Sequence, residues 1–140
     1  MRIVLDTNAM LVAASASSPF CWIFSGILKN NYYLCISTEI AMEYEEVISR
    51  HVGNAVADAI LIALKEAENV IWIESSFRWN LIKADPDDNK FVDCAIAGNA
   101  KFIVSEDRHF QILKTITFPK VEVLTIDEFK KELEAAGKLD

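Results

Sequence analysis

Arg2-Ile3-Val4-Leu5-Asp6-Thr7-Asn8 is a short apolar run that ends at a carboxylate. Ile3 to Leu5 lacks the polar alternation of a half-exposed strand and reads as a β-strand covered on both faces. Lys101-Phe102-Ile103-Val104-Ser105-Glu106-Asp107 repeats the pattern far downstream, again closing on an acid. Working outward, Tyr33–Ile36, Val70–Ile73 and Val121–Leu124 read as further strands, separated by stretches with helical spacing. Short apolar strands alternating with helices predict an α/β chain. The expected fold is a three-layer α/β/α arrangement around a mostly parallel central sheet of about five strands.

The helices carry their own start signals. Ser18-Pro19 pairs an N-cap residue with a proline at the first helical position, which predicts a helix to about Lys29. Ser37 is placed to cap a helix from Thr38 to about Ser49. Val56, Ile60 and Leu64 predict another over Gly53 to Glu66. A helix over Asp88 to Asn99 and a short one near His109 to Leu113 follow. Thr125 with Glu128 forms a capping-box start for the last helix, which should end near Gly137. Thr7 and Asn8 read as turn formers. Glu74 to Asp87 reads as irregular, with Asp85-Pro86-Asp87 as its turn signal.

Composition narrows the class. At 140 residues the chain suits one domain, residues 1–140, with a core large enough to be stable alone. With 52% hydrophobic and 25% charged residues, long disorder is excluded. No run approaches the roughly 20 apolar residues of a membrane helix, and strand-like sequence from the second residue leaves no room for a signal peptide. A soluble, cytoplasmic protein is therefore expected. Cys21, Cys35 and Cys94 lack CxxC spacing and suit reduced, mostly buried thiols. With two histidines, His51 and His109, zinc chemistry has little to work with. The net charge of −7 argues against broad nonspecific nucleic-acid binding unless cations neutralise some of the acids.

Four acids stand where they are costly to keep ionised. In parallel sheets ligands bind beyond the carboxyl ends of strands, and Asp6 and Asp107 each follow a strand. Asp88 heads an apolar stripe of Phe91, Val92, Ala95 and Ile96, where a lone charge is unfavourable by several kcal/mol. Glu43 borders the buried face formed by Ile40, Tyr44, Val47 and Ile48. For each acid a structural role competes: turn or cap for Asp6 and Asp107, helix-dipole stabilisation for Asp88, solvated face for Glu43. Asp58 also interrupts an apolar helix but has no strand end beside it, and reads as structural. Two carboxylates about 4 Å apart repel by roughly 4 kcal/mol at an effective dielectric near 20. A cluster of four would stay partly protonated or hold a hard divalent cation. Oxygen ligands suit magnesium or manganese.

The chain resembles the PIN-domain nucleases, in particular the VapC-like branch of toxin components of toxin–antitoxin pairs. Four segments carry the likeness: Val4-Leu5-Asp6-Thr7-Asn8, Ile36 to Glu43, Asp85-Pro86-Asp87-Asp88-Asn89-Lys90-Phe91-Val92-Asp93-Cys94-Ala95, and Ala100 to Asp107. Each is weak alone; their order and spacing span nearly the whole chain. The resemblance implies a site of Asp6, Glu43, Asp88 and Asp107 holding Mg2+ or Mn2+. Ser105 supports it, in a place where threonine is commoner, and Asp93 ranks as a lesser site residue. It also implies an RNA substrate, an antitoxin protein partner, a homodimer and no membrane association. Exposed apolar residues near Trp22 and Phe24 would suit the dimer.

Substrate contacts are expected to be fewer. Lys90, Arg108, His109 and Lys114 lie near the acids in sequence and could meet phosphates, although solubilising roles compete. Phe77, Arg78 and Trp79 could stack on bases, with hydrophobic packing the competing reading. A binding module that keeps the fold but does not turn over is the alternative to a nuclease. A haloacid-type phosphatase would need a second Asp two residues after the first, and that position is Asn8.

Overall fold

The computed structural model describes residues 1–15 and 17–139. Five strands, β1 (Arg2–Leu5), β2 (Tyr33–Ile36), β3 (Val70–Trp72), β4 (Phe102–Val104) and β5 (Glu122–Leu124), form one sheet in the order β3-β2-β1-β4-β5. Every pairing is parallel. Ile3, Val4 and Leu5 are fully buried although successive side chains point to opposite faces. That burial requires cover on both sides of the sheet, as the apolar run predicts.

The helices are α1 (Thr7–Ala13), α2 (Cys21–Leu28), α3 (Thr38–His51), α4 (Asn54–Glu66), α5 (Asn89–Ala97) and α6 (Ile126–Ala135), with 3-10 segments at Pro86–Asp88 and Arg108–Thr115. Helix α3 starts where the sequence indicates: the Ser37 hydroxyl accepts from the Ile40 N–H at 3.2 Å. The Thr125–Glu128 capping box is present in both directions at the head of α6. No helix among the described residues is long and apolar enough to cross a membrane.

Four local expectations need correction. Thr7 and Asn8 open helix α1 and are not a turn; Asp6 is its N-cap, accepting from the Ala9 N–H. The apolar residues Ala9, Met10 and Ala13 supply the buried face of this helix. Helix α2 begins at Cys21, not Ser18. The Ser18 hydroxyl accepts from the Phe20 N–H and closes a turn in front of it. Helix α5 begins at Asn89, because Pro86 and the Asp85 side chain, which accepts from the Asp87 N–H, tighten the preceding residues into a 3-10 turn. The surface near Trp22 is also less open than the sequence suggests: its ring packs 5.8 Å from that of Phe129. Phe24 is partly buried against the core.

Two long-range contacts set the position of the site. The buried Tyr44 hydroxyl of α3 donates to the Leu5 carbonyl at 2.5 Å, which brings the neighbouring Glu43 over the end of β1. The irregular 74–85 segment is held by Asn89. Its amide donates to the Ile82 and Pro86 carbonyls (2.9 and 3.1 Å) and accepts from the Ile82 N–H at 2.8 Å. Asn89→Ala removes all three bonds and leaves buried backbone groups unpaired. It should cost about 1–3 kcal/mol in chemical denaturation and open the 74–85 segment to limited proteolysis. Unchanged stability and protection would contradict this anchoring role.

Candidate metal centre

Strand order turns back on itself at β1, which lies between β2 and β4, so the crevice at the carboxyl ends of β1 and β4 is where ligands bind in such sheets. Asp6 leaves β1 and Ser105 leaves β4 side by side, tied by the Asp6 N–H donating to the Val104 carbonyl at 3.1 Å. The Ser105 hydroxyl donates to Asp6 Oδ2 at 2.5 Å, and the Ala9 N–H donates to Asp6 Oδ1 at 2.8 Å. Asp6 is only 4% exposed. Burial pushes its carboxyl up to about 6, against the two hydrogen bonds that favour the charged form; repulsion from Asp107 and Glu106 adds to the rise.

Asp107 follows through the same serine, its N–H donating to Ser105 Oγ at 2.9 Å. It caps the 3-10 segment by accepting from the His109 N–H at 2.9 Å. Asp88 stands at the head of α5 yet makes no capping hydrogen bond. Its Oδ2 is buried without a hydrogen-bond partner. Burial first, then repulsion from Asp85 and Asp107, raises the Asp88 carboxyl to about 6; His109 opposes the rise, and Asp6 contributes a further repulsion. Asp6 and Asp88 therefore each feel the charge of Asp107, and Asp88 that of Asp6.

Glu43 is held at its edge. The Thr7 hydroxyl donates to Glu43, and Lys90 Nζ lies 2.7 Å from Glu43 Oε1 and 3.0 Å from Asp87 Oδ1. Only 10% of the Lys90 side chain is exposed. Burial lowers its pKa, but the hydrogen bonds and charges of Glu43 and Asp87 outweigh it and raise the net value. The same lysine holds Asp87 below the usual carboxylate range. The sequence left Lys90 open to phosphate contact or a solubilising role; the structure pairs it with Glu43 and Asp87.

Asp93 faces elsewhere. It is buried, accepts from the Trp79 N–H at 3.1 Å, and anchors the 74–85 segment rather than meeting the other acids. Burial raises its carboxyl above the ordinary range. Arg78 pairs with Glu39 in the open, and Arg108 and Lys114 are exposed. The Phe77 and Trp79 rings lie 4.6 Å apart, with Trp79 6.3 Å from Phe118.

Asp85 and His109 were not among the expected site acids and ligands. Asp85 Oδ2, Asp88 Oδ2 and Asp107 Oδ1 lie 4.0, 3.7 and 3.5 Å from His109 Nδ1. The available signal was spacing: Asp85 precedes Asp88 by three, and His109 follows Asp107 by two.

A family model described as "PIN domain" matches residues 2–109, from β1 through to His109. The chain belongs to the PIN-domain family. Solved structures share the fold at low identity. VapBC2 from Rickettsia felis, solved bound to a DNA fragment from their promoter, is 20% identical over 89% of this chain and 98% of that one, with a TM-score of 0.61. VapC20 of Mycobacterium tuberculosis, a sarcin–ricin loop cleaving toxin, is 12% identical over 85% and 98%, with a TM-score of 0.57. FitAcB from Neisseria gonorrhoeae is 14% identical over 89% and 97%, with a TM-score of 0.52. A search of curated proteins finds no match.

The raised carboxyls have a consequence for stability. Folding lifts Asp6 and Asp88 from 3.8 to about 6, so between those values the folded state holds protons that the unfolded chain releases. Their contribution is most favourable below about pH 4 and is lost as pH rises through about 6. In chelator, thermal melts should show stability falling from pH 4.5 to 7, and Asp6→Asn should flatten that slope. Added Mn2+ should raise the melting temperature more at pH 7 than at pH 5. An unaltered slope in Asp6→Asn would contradict the assignment.

Proposed function

We propose that this chain is a divalent-metal-dependent endoribonuclease hydrolysing RNA phosphodiester bonds, with Asp6, Asp88 and Asp107 as direct or water-mediated ligands and Glu43 at the cleft edge. The observation that carries this reading is the gathering of buried Asp6 with partly buried Asp88 and Asp107, mutually repelling, at the β1–β4 crevice, with one Asp88 oxygen orphaned. Repulsion of this kind is relieved either by protonation or by a cation. The donor set suits magnesium or manganese. When bound, such an ion supplies Lewis-acid polarisation of the phosphodiester and activation of water.

The chain's own residues orient that chemistry. Ser105 fixes the rotamer of Asp6 and, through its oxygen, the turn that carries Asp107. Thr7 and Lys90 hold Glu43 in place. Asp93 is assigned a positioning role, through the 74–85 segment that leads into Asp85 and Asp88. Neither Ser105 nor Cys94 is presented as a nucleophile: Ser105 is buried with its hydroxyl committed to Asp6, and burial pushes the Cys94 thiol up to about 12.

The biological setting is read from the fold's relatives. VapC20 is named as a toxin that cleaves the sarcin–ricin loop, which supports RNA as the substrate class here. We read the chain as the toxin component of a toxin–antitoxin pair acting in the cytoplasm, with an antitoxin protein as partner and a homodimer as its assembly. A net charge of −7 suits a basic protein partner.

Metal-stripped protein should not cleave RNA, and Mn2+ or Mg2+ should restore cleavage. Asp6→Asn should lower cleavage by more than about a hundredfold, beyond the 10–100-fold typical of groups one layer out from a metal, with circular dichroism unchanged. Undiminished cleavage by a clean Asp6→Asn preparation would rule the assignment out. Metal binding by the wild type without turnover would favour a binding module.

A further inference from the structure

His109 is the one imidazole in the acidic cleft, and neither the strand-end acids nor the ion pairs explain its place. Its Nδ1 is inaccessible and has no hydrogen-bond partner, as is Asp88 Oδ2, 3.7 Å away. Asp107 Oδ1 and Asp85 Oδ2 lie at 3.5 and 4.0 Å. These separations exceed hydrogen-bond length. Two donors bound to one ion at about 2.0–2.3 Å lie about 3–4.5 Å apart, and one ligand atom each from Asp85, Asp88 and His109 falls within 4.8 Å of the others.

Local bonds aim these atoms inward. Asp85 uses Oδ1 to accept from the Asp87 N–H, which leaves Oδ2 as the oxygen nearest His109. Asp107 accepts from the backbone N–H of His109 and so fixes the turn that presents the ring. The other histidine, His51, sits exposed at the end of α3, its Nδ1 at 3.0 Å from the Val47 carbonyl.

We infer that His109 Nδ1 is a metal ligand, with Asp85 joining Asp88 on the same side, so that the centre is a mixed nitrogen–oxygen site selecting manganese over magnesium. The inference rests on the metal reading of the cleft proposed above. Imidazole suits first-row transition ions, whereas magnesium is held by oxygen donors and waters. The competing role for the ring is that of a protonated counter-ion, which would leave its nitrogen off the metal.

Pulsed electron paramagnetic resonance on the full-length protein loaded with Mn2+, without RNA, separates the two. The expected result is modulation from one imidazole nitrogen, retained in His51→Gln and lost in His109→Gln. Isothermal titration should show Mn2+ bound at least about tenfold more tightly than Mg2+, with His109→Gln weakening Mn2+ by about 10–100-fold and Mg2+ far less. Asp85→Asn should weaken Mn2+ while keeping the nitrogen signal. Mn2+ bound in the wild type without nitrogen modulation would overturn this inference and leave the nuclease reading standing. Failure to bind Mn2+ or Mg2+ at all would overturn both.

Discussion

Asp6 is held at the end of β1 by the Ser105 hydroxyl at the end of β4, and this bond across adjacent parallel strands is the constraint on which the acidic cleft depends. The strand registers put Leu5 opposite Val104, so the next residues of both chains leave the sheet together. Asp6 cannot turn outward to water without giving up both hydrogen bonds, one of which is the cap of α1. A carboxylate fixed in so dry a place loses solvation and gains repulsion from Asp107. The strain is electrostatic, and it is concentrated where the sheet leaves an open crevice.

The neighbouring acids divide by how each charge is answered. Glu43 and Asp87 share the ammonium of Lys90, while Asp6 leans on neutral donors. Asp88 has an oxygen that nothing answers, beside a histidine whose nitrogen is equally alone. The cleft thus has a rim compensated by the protein and a centre that is not. Placing the uncompensated charge at the centre is what suits it to an external cation, and the lysine at the rim keeps Glu43 close without neutralising the inner acids.

The frame was legible in the sequence where its causes are local. Ile3–Leu5 and Phe102–Val104 read as buried strands because unbroken apolar runs of that length have few other homes. Ser37 and the Thr125–Glu128 pair announced their helices through side chains that bond to backbone within one turn. Helix α1 escaped because Asp6-Thr7-Asn8 has the composition of a turn; a cap was one of the readings open for Asp6, and the apolar Ala9, Met10 and Ala13 that form the buried face are what decide for it. Lys90 answering Glu43, Asp93 receiving the Trp79 amide, and Asp85 meeting His109 are pairings between distant segments. Composition and periodicity carry no record of them; they arise from the packing of α3, α5 and the 74–85 segment around the strand ends.

Anomalous diffraction from a crystal soaked in Mn2+ near pH 7.5 decides whether the acids at the β1–β4 crevice hold a cation. A peak is expected inside the crevice, within about 2.0–2.4 Å of at least one oxygen of Asp88 or Asp107 or bridged to Asp6 through water, and none in Asp88→Asn. A Mn2+ peak confined to the outer acids around Lys90, or none at all with Asp6 and Asp88 unchanged, would contradict a metal centre there.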